Sequence, residues 1–185
     1  EFLARAKSGI DGSLDRMLKK EKLTAQEKEA ILSRITFTTD LPKAVKDADL
    51  IIEAIPEILE LKKEMFKKLD NLSKPEAILG TNTSQNSITE IASVVANPSR
   101  VVGTHFFNPP VMMRLVEVVK GLETADSVVE QIRGFATKLG KEILVCKDSQ
   151  GFISTRVLVA LRLECYRILE EGIATKEDID KTLKL

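Results

Sequence analysis

Short apolar runs alternate along the chain with amphipathic segments, and this alternation limits the possible folds more than any other feature. Apolar residues spaced three and four apart predict helices, whereas short apolar runs predict strands. The runs that we predict as strands are residues 35–38, 50–55, 77–81, 100–104, 115–119 and 141–145. The second of these is continuously apolar up to a glutamate, which is typical of a strand buried on both faces. Strands that alternate with helices indicate an α/β domain with a largely parallel sheet.

Capping residues mark where several helices begin. Thr24 and Ser87 each stand three residues before a glutamate, which is the pattern of a capping box. Asp40 and Thr175 are predicted to be N-caps of two further helices. The first helix, over residues 2–18, has no start signal of its own, and no initiator methionine precedes it. We therefore expect the chain to be part of a longer protein.

The pattern changes near the end of the chain. Residues 152–171 form one long apolar-faced helical pattern, and a second helix follows it. We predict two domains: residues 1–146 form the α/β domain, and residues 147–185 are the first helices of an all-helical domain. Two helices cannot bury their apolar faces alone, so this second region is expected to need partners outside the chain.

The charge balance and the cysteines narrow the choice of partners. The chain has 28 Lys and Arg against 28 Asp and Glu, so no net charge attracts it to nucleic acid or to an anionic membrane. Its apolar runs are far shorter than the roughly 20 residues that cross a bilayer. Cys146 and Cys165 lack a metal-binding spacing, so we expect no metal. Isolated cysteines suit a reducing compartment, and we expect a cytoplasmic location.

His105 is the only histidine, and it directly follows the predicted strand 100–104. Ligands of open α/β sheets bind outside the carboxyl ends of the strands, so a functional side chain is expected here. A lone histidine is nevertheless more often structural than catalytic. The position alone leaves both interpretations open.

Glu117 lies in the middle of the apolar run 115–119. A buried ionised carboxylate is unfavourable unless a partner forms hydrogen bonds with it, and an imidazole would be such a partner. The pair would suit an imidazole that takes a proton from an alcohol near neutral pH. The alternative is that Glu117 faces solvent on a half-exposed strand.

Asn82 and Ser84 follow the predicted strand 77–81 at the same edge of the sheet. Both side chains are able to form hydrogen bonds with a ligand. Asn and Ser after a strand are also common turn formers, and that explanation is the more frequent one.

Four segments of the chain closely resemble signature segments of the L-3-hydroxyacyl-CoA dehydrogenases, including bacterial 3-hydroxybutyryl-CoA dehydrogenases. They are Thr-Asn-Thr-Ser at 81–84, His-Phe-Phe-Asn-Pro at 105–109, Leu-Val-Glu-Val at 115–118 and Lys-Asp-Ser-Gln-Gly-Phe at 147–152. The resemblance implies hydride transfer between C3 of a 3-hydroxyacyl-CoA and NAD, forming a 3-ketoacyl-CoA, in fatty acid or butanoate metabolism. It also implies a Rossmann-type domain followed by a helical domain that forms a homodimer.

The resemblance assigns roles to individual residues. His105 matches the catalytic base, Glu117 its carboxylate partner, and Ser84 the serine that hydrogen-bonds the substrate oxygen near the nicotinamide. Asn108 matches an asparagine that shapes the substrate pocket. The positions that match the lining of the cofactor site are Glu57, Lys62 and Asn82.

Two departures from the family accompany this resemblance. The Gly-x-Gly-x-x-Gly turn that receives a dinucleotide pyrophosphate is absent from the 185 residues, as is the acidic residue expected after the second strand. We expect about one βαβ unit to be missing, and NAD binding by this polypeptide to be poor. Thr155 stands where the family usually has Asn, and its shorter side chain is expected to bind the substrate more weakly.

Two other functions compete with this interpretation. One is a non-catalytic scaffold, like the lens crystallins related to this family. The other is a sugar-acid dehydrogenase with the same two-domain plan. A buried His105–Glu117 pair argues against a scaffold, and residues 105–109 match the acyl-CoA branch better.

Overall fold

The computed structural model describes residues 1–184. The helices are α1 (Phe2–Lys19), α2 (Ala25–Leu32), α3 (Leu41–Val45), α4 (Leu59–Leu72), α5 (Ile88–Ala92), α6 (Asp126–Lys138), α7 (Ser154–Glu170) and α8 (Lys176–Thr182). The strands are β1 (Leu50–Glu53), β2 (Ile78–Thr81), β3 (Val101–Phe106), β4 (Leu115–Lys120) and β5 (Glu142–Lys147). A short 3-10 turn, Pro98–Arg100, precedes β3. The chain divides into two compact units, Glu1–Asp47 and a second unit that begins at Ala48.

The first unit consists of the helices α1, α2 and α3. The predicted capping box is present: Thr24 Oγ1 accepts from the Glu27 amide at 3.2 Å, and Glu27 accepts from the Thr24 amide at 2.8 Å. Lys28 on α2 contacts Asp11 and Asp15 on α1, at 2.7 and 2.5 Å. These contacts join the two helices. Asp40 caps α3 as predicted, and Ser87 caps α5 by accepting from the Glu90 amide, but within residues 1–184 no reciprocal bond from the Glu90 side chain completes the predicted second capping box.

The strand predicted at residues 35–38 is wrong. This segment has no strand assignment, and the Ile35 amide donates to Leu32 O at 3.2 Å, which continues the end of α2. A β-rich run becomes a strand only when a neighbour supplies ladder hydrogen bonds. None of the five described strands is paired with this run.

The second unit contains a five-stranded sheet in the order β1-β2-β3-β4-β5. Three of its pairs are parallel, and only β3 and β4 are antiparallel. The connection over residues 107–114 is too short for the crossover that parallel strands require, so β4 runs back along β3. The predicted α/β domain with a largely parallel sheet is confirmed. The carboxyl ends of β1, β2 and β3 therefore meet the start of β4 at one edge.

One apolar cluster in the core of this unit lies between the sheet and α6. Its buried members are Ile78, Val102, Val116, Val118, Val128, Val129 and Ile132. The prediction that the run 50–55 is buried on both faces is wrong, because Ile52 is 37% exposed and only Glu53 in β1 is buried. β1 is the outermost of the described strands, so one of its edges has no strand partner.

The helices α7 and α8 contain no buried residue within the described chain. Several large apolar side chains of α7 are exposed, and they are Val157, Leu158, Val159, Leu161, Leu163, Tyr166 and Leu169. That these helices belong to a separate domain stays a prediction. Among residues 1–184, no helix combines the length and apolar character needed to cross a membrane.

Candidate active site

His105 and Glu117 face each other across the antiparallel pair β3–β4. The register places them directly opposite, and the imidazole Nδ1 lies 2.8 Å from Glu117 Oε2. Glu117 is fully buried and His105 is 8% exposed. The alternative that Glu117 faces solvent is therefore wrong. The only histidine and a buried carboxylate form a hydrogen-bonded pair at the edge where ligands of α/β sheets bind.

Glu117 also accepts hydrogen bonds from the beginning of α7. Its Oε1 accepts from the amides of Ile153 at 3.2 Å and Ser154 at 2.8 Å, and its Oε2 accepts from the Ser154 hydroxyl at 2.8 Å. Burial alone raises the pKa of Glu117, but the hydrogen bonds from His105 and Ser154 outweigh burial and lower it. The positive end of the α7 dipole favours the same charge. Glu117 is therefore ionised at neutral pH.

The surroundings of His105 leave one ring nitrogen for chemistry. The ring packs against Phe107 and Phe152, with centroid distances of 4.6 and 5.9 Å. An ionised carboxylate only accepts hydrogen bonds, so Nδ1 is the nitrogen that donates to Glu117. In the neutral imidazole this tautomer places the free lone pair on Nε2. In this tautomer Nε2 is able to accept a proton.

Glu57 accepts hydrogen bonds from the loop that follows β2. Its Oε1 accepts from the amides of Ser84 at 3.0 Å and Gln85 at 3.2 Å, and from the Thr83 hydroxyl. Burial raises the pKa of Glu57, but the bonds from Thr83 and Ser84, together with Lys62, outweigh burial and lower it. The side chain is 30% exposed, so an ionised carboxylate reaches the surface near Ser84.

Lys62 is buried in an ionic cluster and is only 1% exposed. Its Nζ donates to Glu53 Oε1 at 2.8 Å and to Ile55 O at 3.2 Å, and lies 3.3 Å from Glu57 Oε2. Glu53 also accepts from the Thr81 hydroxyl at 2.7 Å. Glu53 was not predicted as part of the site, although it is a carboxylate within an apolar run, as Glu117 is. A direct role of Lys62 in cofactor binding stays a prediction.

Asn82 connects the ends of two strands beside His105. Its Oδ1 accepts from the Phe106 amide at 2.8 Å, and its own amide donates to Glu53 O at 2.8 Å. The loop containing Ser84 and the turn after His105 therefore lie at the same edge of the sheet. Ser84 is half-buried, and no hydrogen bond joins it to His105 within residues 1–184.

Asn108 and Thr155 are the two remaining residues that were predicted to border the substrate. Asn108 is exposed in the turn after β3, and its peptide bond to Pro109 is cis. Thr155, in the first turn of α7, is half-buried and lines an open cavity of about 390 Å³ together with Gln85, Gln150 and Val159. Neither residue contacts the His105 ring through a described hydrogen bond. No cluster of metal-binding side chains occurs in the described part of the chain.

The fold is of the Rossmann-type α/β class, and two further helices follow the sheet domain. Residues 1–149 match the family described as "3-hydroxyacyl-CoA dehydrogenase, NAD binding domain", and residues 151–185 match its C-terminal domain. The chain belongs to the 3-hydroxyacyl-CoA dehydrogenase family. The domain boundary that we place between residues 146 and 147 stays a prediction.

Relatives in several organisms are similar over the whole chain. A probable 3-hydroxybutyryl-CoA dehydrogenase of Deinococcus radiodurans is 43% identical over 100% of this chain and 66% of its own length. The mitochondrial hydroxyacyl-coenzyme A dehydrogenase of Homo sapiens is 42% identical over 100% of this chain and 60% of its own. A solved (S)-3-hydroxybutyryl-CoA dehydrogenase from Ralstonia eutropha is 37% identical, with a TM-score of 0.95 over 99% of this chain and 64% of that structure. The chain thus spans about three fifths to two thirds of these relatives.

Proposed function

We propose that the protein is an NAD-dependent oxidoreductase that interconverts (S)-3-hydroxyacyl-CoA and 3-ketoacyl-CoA, with His105 as the acid and base. The contact between His105 Nδ1 and Glu117 Oε2 at 2.8 Å, at the edge where the strands end, supports this proposal most directly. The printed names of the relatives support the substrate class.

In the oxidation direction, Nε2 of His105 takes the proton of the C3 hydroxyl group. When bound, NAD would supply the acceptor for the hydride that leaves C3. The O–H bond breaks as the C3 carbonyl forms, and the proton remains on His105. Glu117 stabilises the resulting imidazolium through Nδ1, and in the reducing direction the protonated His105 returns its proton to the substrate oxygen.

The residues at the carboxyl ends of β1 and β2 fit the nicotinamide side of a cofactor site. Glu57 presents a partly exposed carboxylate, and Asn82 and Ser84 follow β2 beside it. Lys62 would act through Glu57, since its ammonium group already contacts Glu53, Ile55 O and Glu57. We propose that Glu57, Asn82 and Ser84 contact the cofactor region directly.

The substrate would lie between the turn after β3 and the first turn of α7. We propose that Ser84 donates a hydrogen bond to the substrate oxygen, and that Asn108 and Thr155 border the acyl group. The half-buried position of Thr155 in its cavity supports a contact with the substrate. The weaker hydrogen bonding expected from Thr at this position stays a prediction, as do the homodimer and the cytoplasmic location.

The test is made on the full-length protein by following NADH consumption with acetoacetyl-CoA. We expect His105→Gln and Glu117→Gln to lower kcat by roughly 10²- to 10⁴-fold, because each change removes part of the acid–base step. Glu123→Gln, on an exposed loop, is the matched control and is expected to behave as wild type.

Wild-type turnover in both His105→Gln and Glu117→Gln would remove the proposed mechanism. A full-length protein that binds NADH but turns over no 3-ketoacyl-CoA would favour the scaffold alternative. Turnover of a sugar acid in preference to the thioester would favour the alternative of a sugar-acid dehydrogenase.

A further inference from the structure

Ser154 touches the carboxylate of Glu117 with two different groups. Its amide donates to Oε1 at 2.8 Å, and its hydroxyl donates to Oε2 at 2.8 Å. Oε2 is also the oxygen that lies 2.8 Å from His105 Nδ1. The first residue of α7 and the imidazole therefore share one carboxylate oxygen.

We propose that Ser154 is a positioning residue of the acid–base pair: its hydroxyl holds Glu117 in place and limits how strongly Oε2 binds the protonated His105. The catalytic part of this inference rests on the proposed function, whereas the contact between Ser154 and Glu117 is present in the structure whatever the function. Nothing in the family resemblance assigns a role to Ser154.

The direction of the effect follows from hydrogen-bond donation. The ionised carboxylate only accepts, so the Ser154 hydroxyl must donate to it. A second donor on Oε2 spreads the negative charge over more partners and lowers the basicity of that oxygen. The carboxylate then binds the imidazolium less strongly, and His105 releases its proton more readily.

The groups that face Glu117 from the neighbouring elements do not reverse this direction. β3 contributes His105, and α7 contributes the amides of Ile153 and Ser154. β5 contributes the thiol of Cys146, whose pKa is raised to about 11 by burial and by the charges of Glu117 and Asp148. That thiol is neutral at neutral pH, so the hydroxyl of Ser154 is the group whose removal changes the balance.

A matched pair of substitutions isolates the hydroxyl. Ser154→Thr keeps a hydroxyl, whereas Ser154→Val has the same branched shape without one, and both keep the backbone amide that donates to Oε1. His105 is the only histidine of these 185 residues, and its ring resonances, assigned by comparison with His105→Gln, report its titration in the full-length protein. We expect the midpoint in Ser154→Val to lie above that in Ser154→Thr. Ser154→Thr is expected to stay near the wild-type midpoint.

Ser149→Ala is the control, since Ser149 accepts from Arg156 at 2.9 Å and does not touch Glu117. It should leave the midpoint unchanged. Equal midpoints in the Thr and Val variants would overturn the inference. If Ser154→Val does not fold, Ser154→Ala replaces it, with the same rise expected and an unchanged midpoint as the contradicting result.

The titration needs no turnover, which separates this inference from the proposed function. A raised midpoint in a protein without dehydrogenase activity would support Ser154 as a positioning residue and defeat the function. In an active full-length protein, the acid limb of the kcat–pH profile should move upward in Ser154→Val but not in Ser154→Thr. A merely structural loss would lower kcat without moving that limb.

Discussion

Cys146 on β5 responds to the charge of Glu117. Burial, the charge of Glu117 and the charge of Asp148 raise the pKa of this thiol to about 11. At pH 8 only about one thiol in a thousand is then a thiolate, so its alkylation by iodoacetamide is slow. Glu117→Gln removes one of these causes, so we expect the pKa to fall and the alkylation of Cys146 to become faster.

The measurement is mass spectrometry of the Cys146 peptide, with the Cys165 peptide in the same sample as the internal reference. A faster reaction of both cysteines would indicate general loosening instead of a local charge effect. An unchanged or slower reaction of Cys146 would contradict the account of Glu117 as a buried anion.

At the scale of single residues, the sequence predicts those side chains whose type conflicts with their surroundings. His105 after a strand and Glu117 within an apolar run are of this kind, and the structure brings them together. The bond between Ser154 and Glu117 joins residues far apart in sequence, and it depends on where α7 begins relative to β4. The spacing of residues in the sequence does not predict where α7 begins relative to β4.

The cluster around Lys62 is expected to hold α4 against the sheet. Lys62→Ala leaves Glu53 as a buried charge without its ammonium partner, so we expect the free energy of unfolding to fall by roughly 3–5 kcal/mol. Lys63→Ala, at the next position of α4, removes contacts with the exposed Glu60 and Glu90 and is expected to cost at most about 1 kcal/mol.

Urea denaturation of both variants checks this difference. Equal losses in the two variants would show that the buried cluster does not stabilise the fold more than a surface pair does. A well-packed Lys62→Met variant with wild-type stability would not contradict it, because apolar replacements often compensate for a buried ion pair.

At the scale of helices and strands, local signals predict boundaries well and burial less well. Thr24, Asp40 and Thr175 begin helices where the sequence places them, because a cap acts within one turn. The run 35–38 and the outward-facing Ile52 were predicted wrongly. The first depends on which strand lies alongside, and the second depends on which element covers that face of the sheet. A local pattern specifies neither.

The stability of the whole molecule should fall in acid. Burial raises the pKa values of Glu57, Glu117 and Asp148, but hydrogen bonds to each carboxylate outweigh burial. The pKa of each group is therefore lowered from its ordinary value, which is 4.5 for the two glutamates and 3.8 for the aspartate. Each group thus binds protons less tightly when folded. The stabilisation is present at pH values above the pKa of each group in the unfolded chain, and it is lost as the pH falls through the pKa of the folded state.

We therefore expect the Tm to decrease as the pH is lowered from about 5 towards about 2. The change should be smaller in Glu117→Gln, because one of the three groups no longer titrates. A Tm that stays constant or rises over this range would contradict the lowered pKa values.

At the scale of the whole chain, the alternation of strands and helices predicted the α/β class and the change to helices near the end. The antiparallel pairing of β3 and β4 was not predicted, although it places Glu117 opposite His105. It follows from the short connection 107–114 and not from the composition of either strand.

A double-mutant cycle on the full-length protein tests the central claim that His105 and Glu117 act as one unit. The cycle compares kcat/KM of His105→Gln, Glu117→Gln and the double variant with acetoacetyl-CoA and NADH. If Glu117 acts through the imidazole, the double variant is no slower than His105→Gln alone. Losses that multiply in the double variant would contradict this account, because the two side chains would then contribute independently.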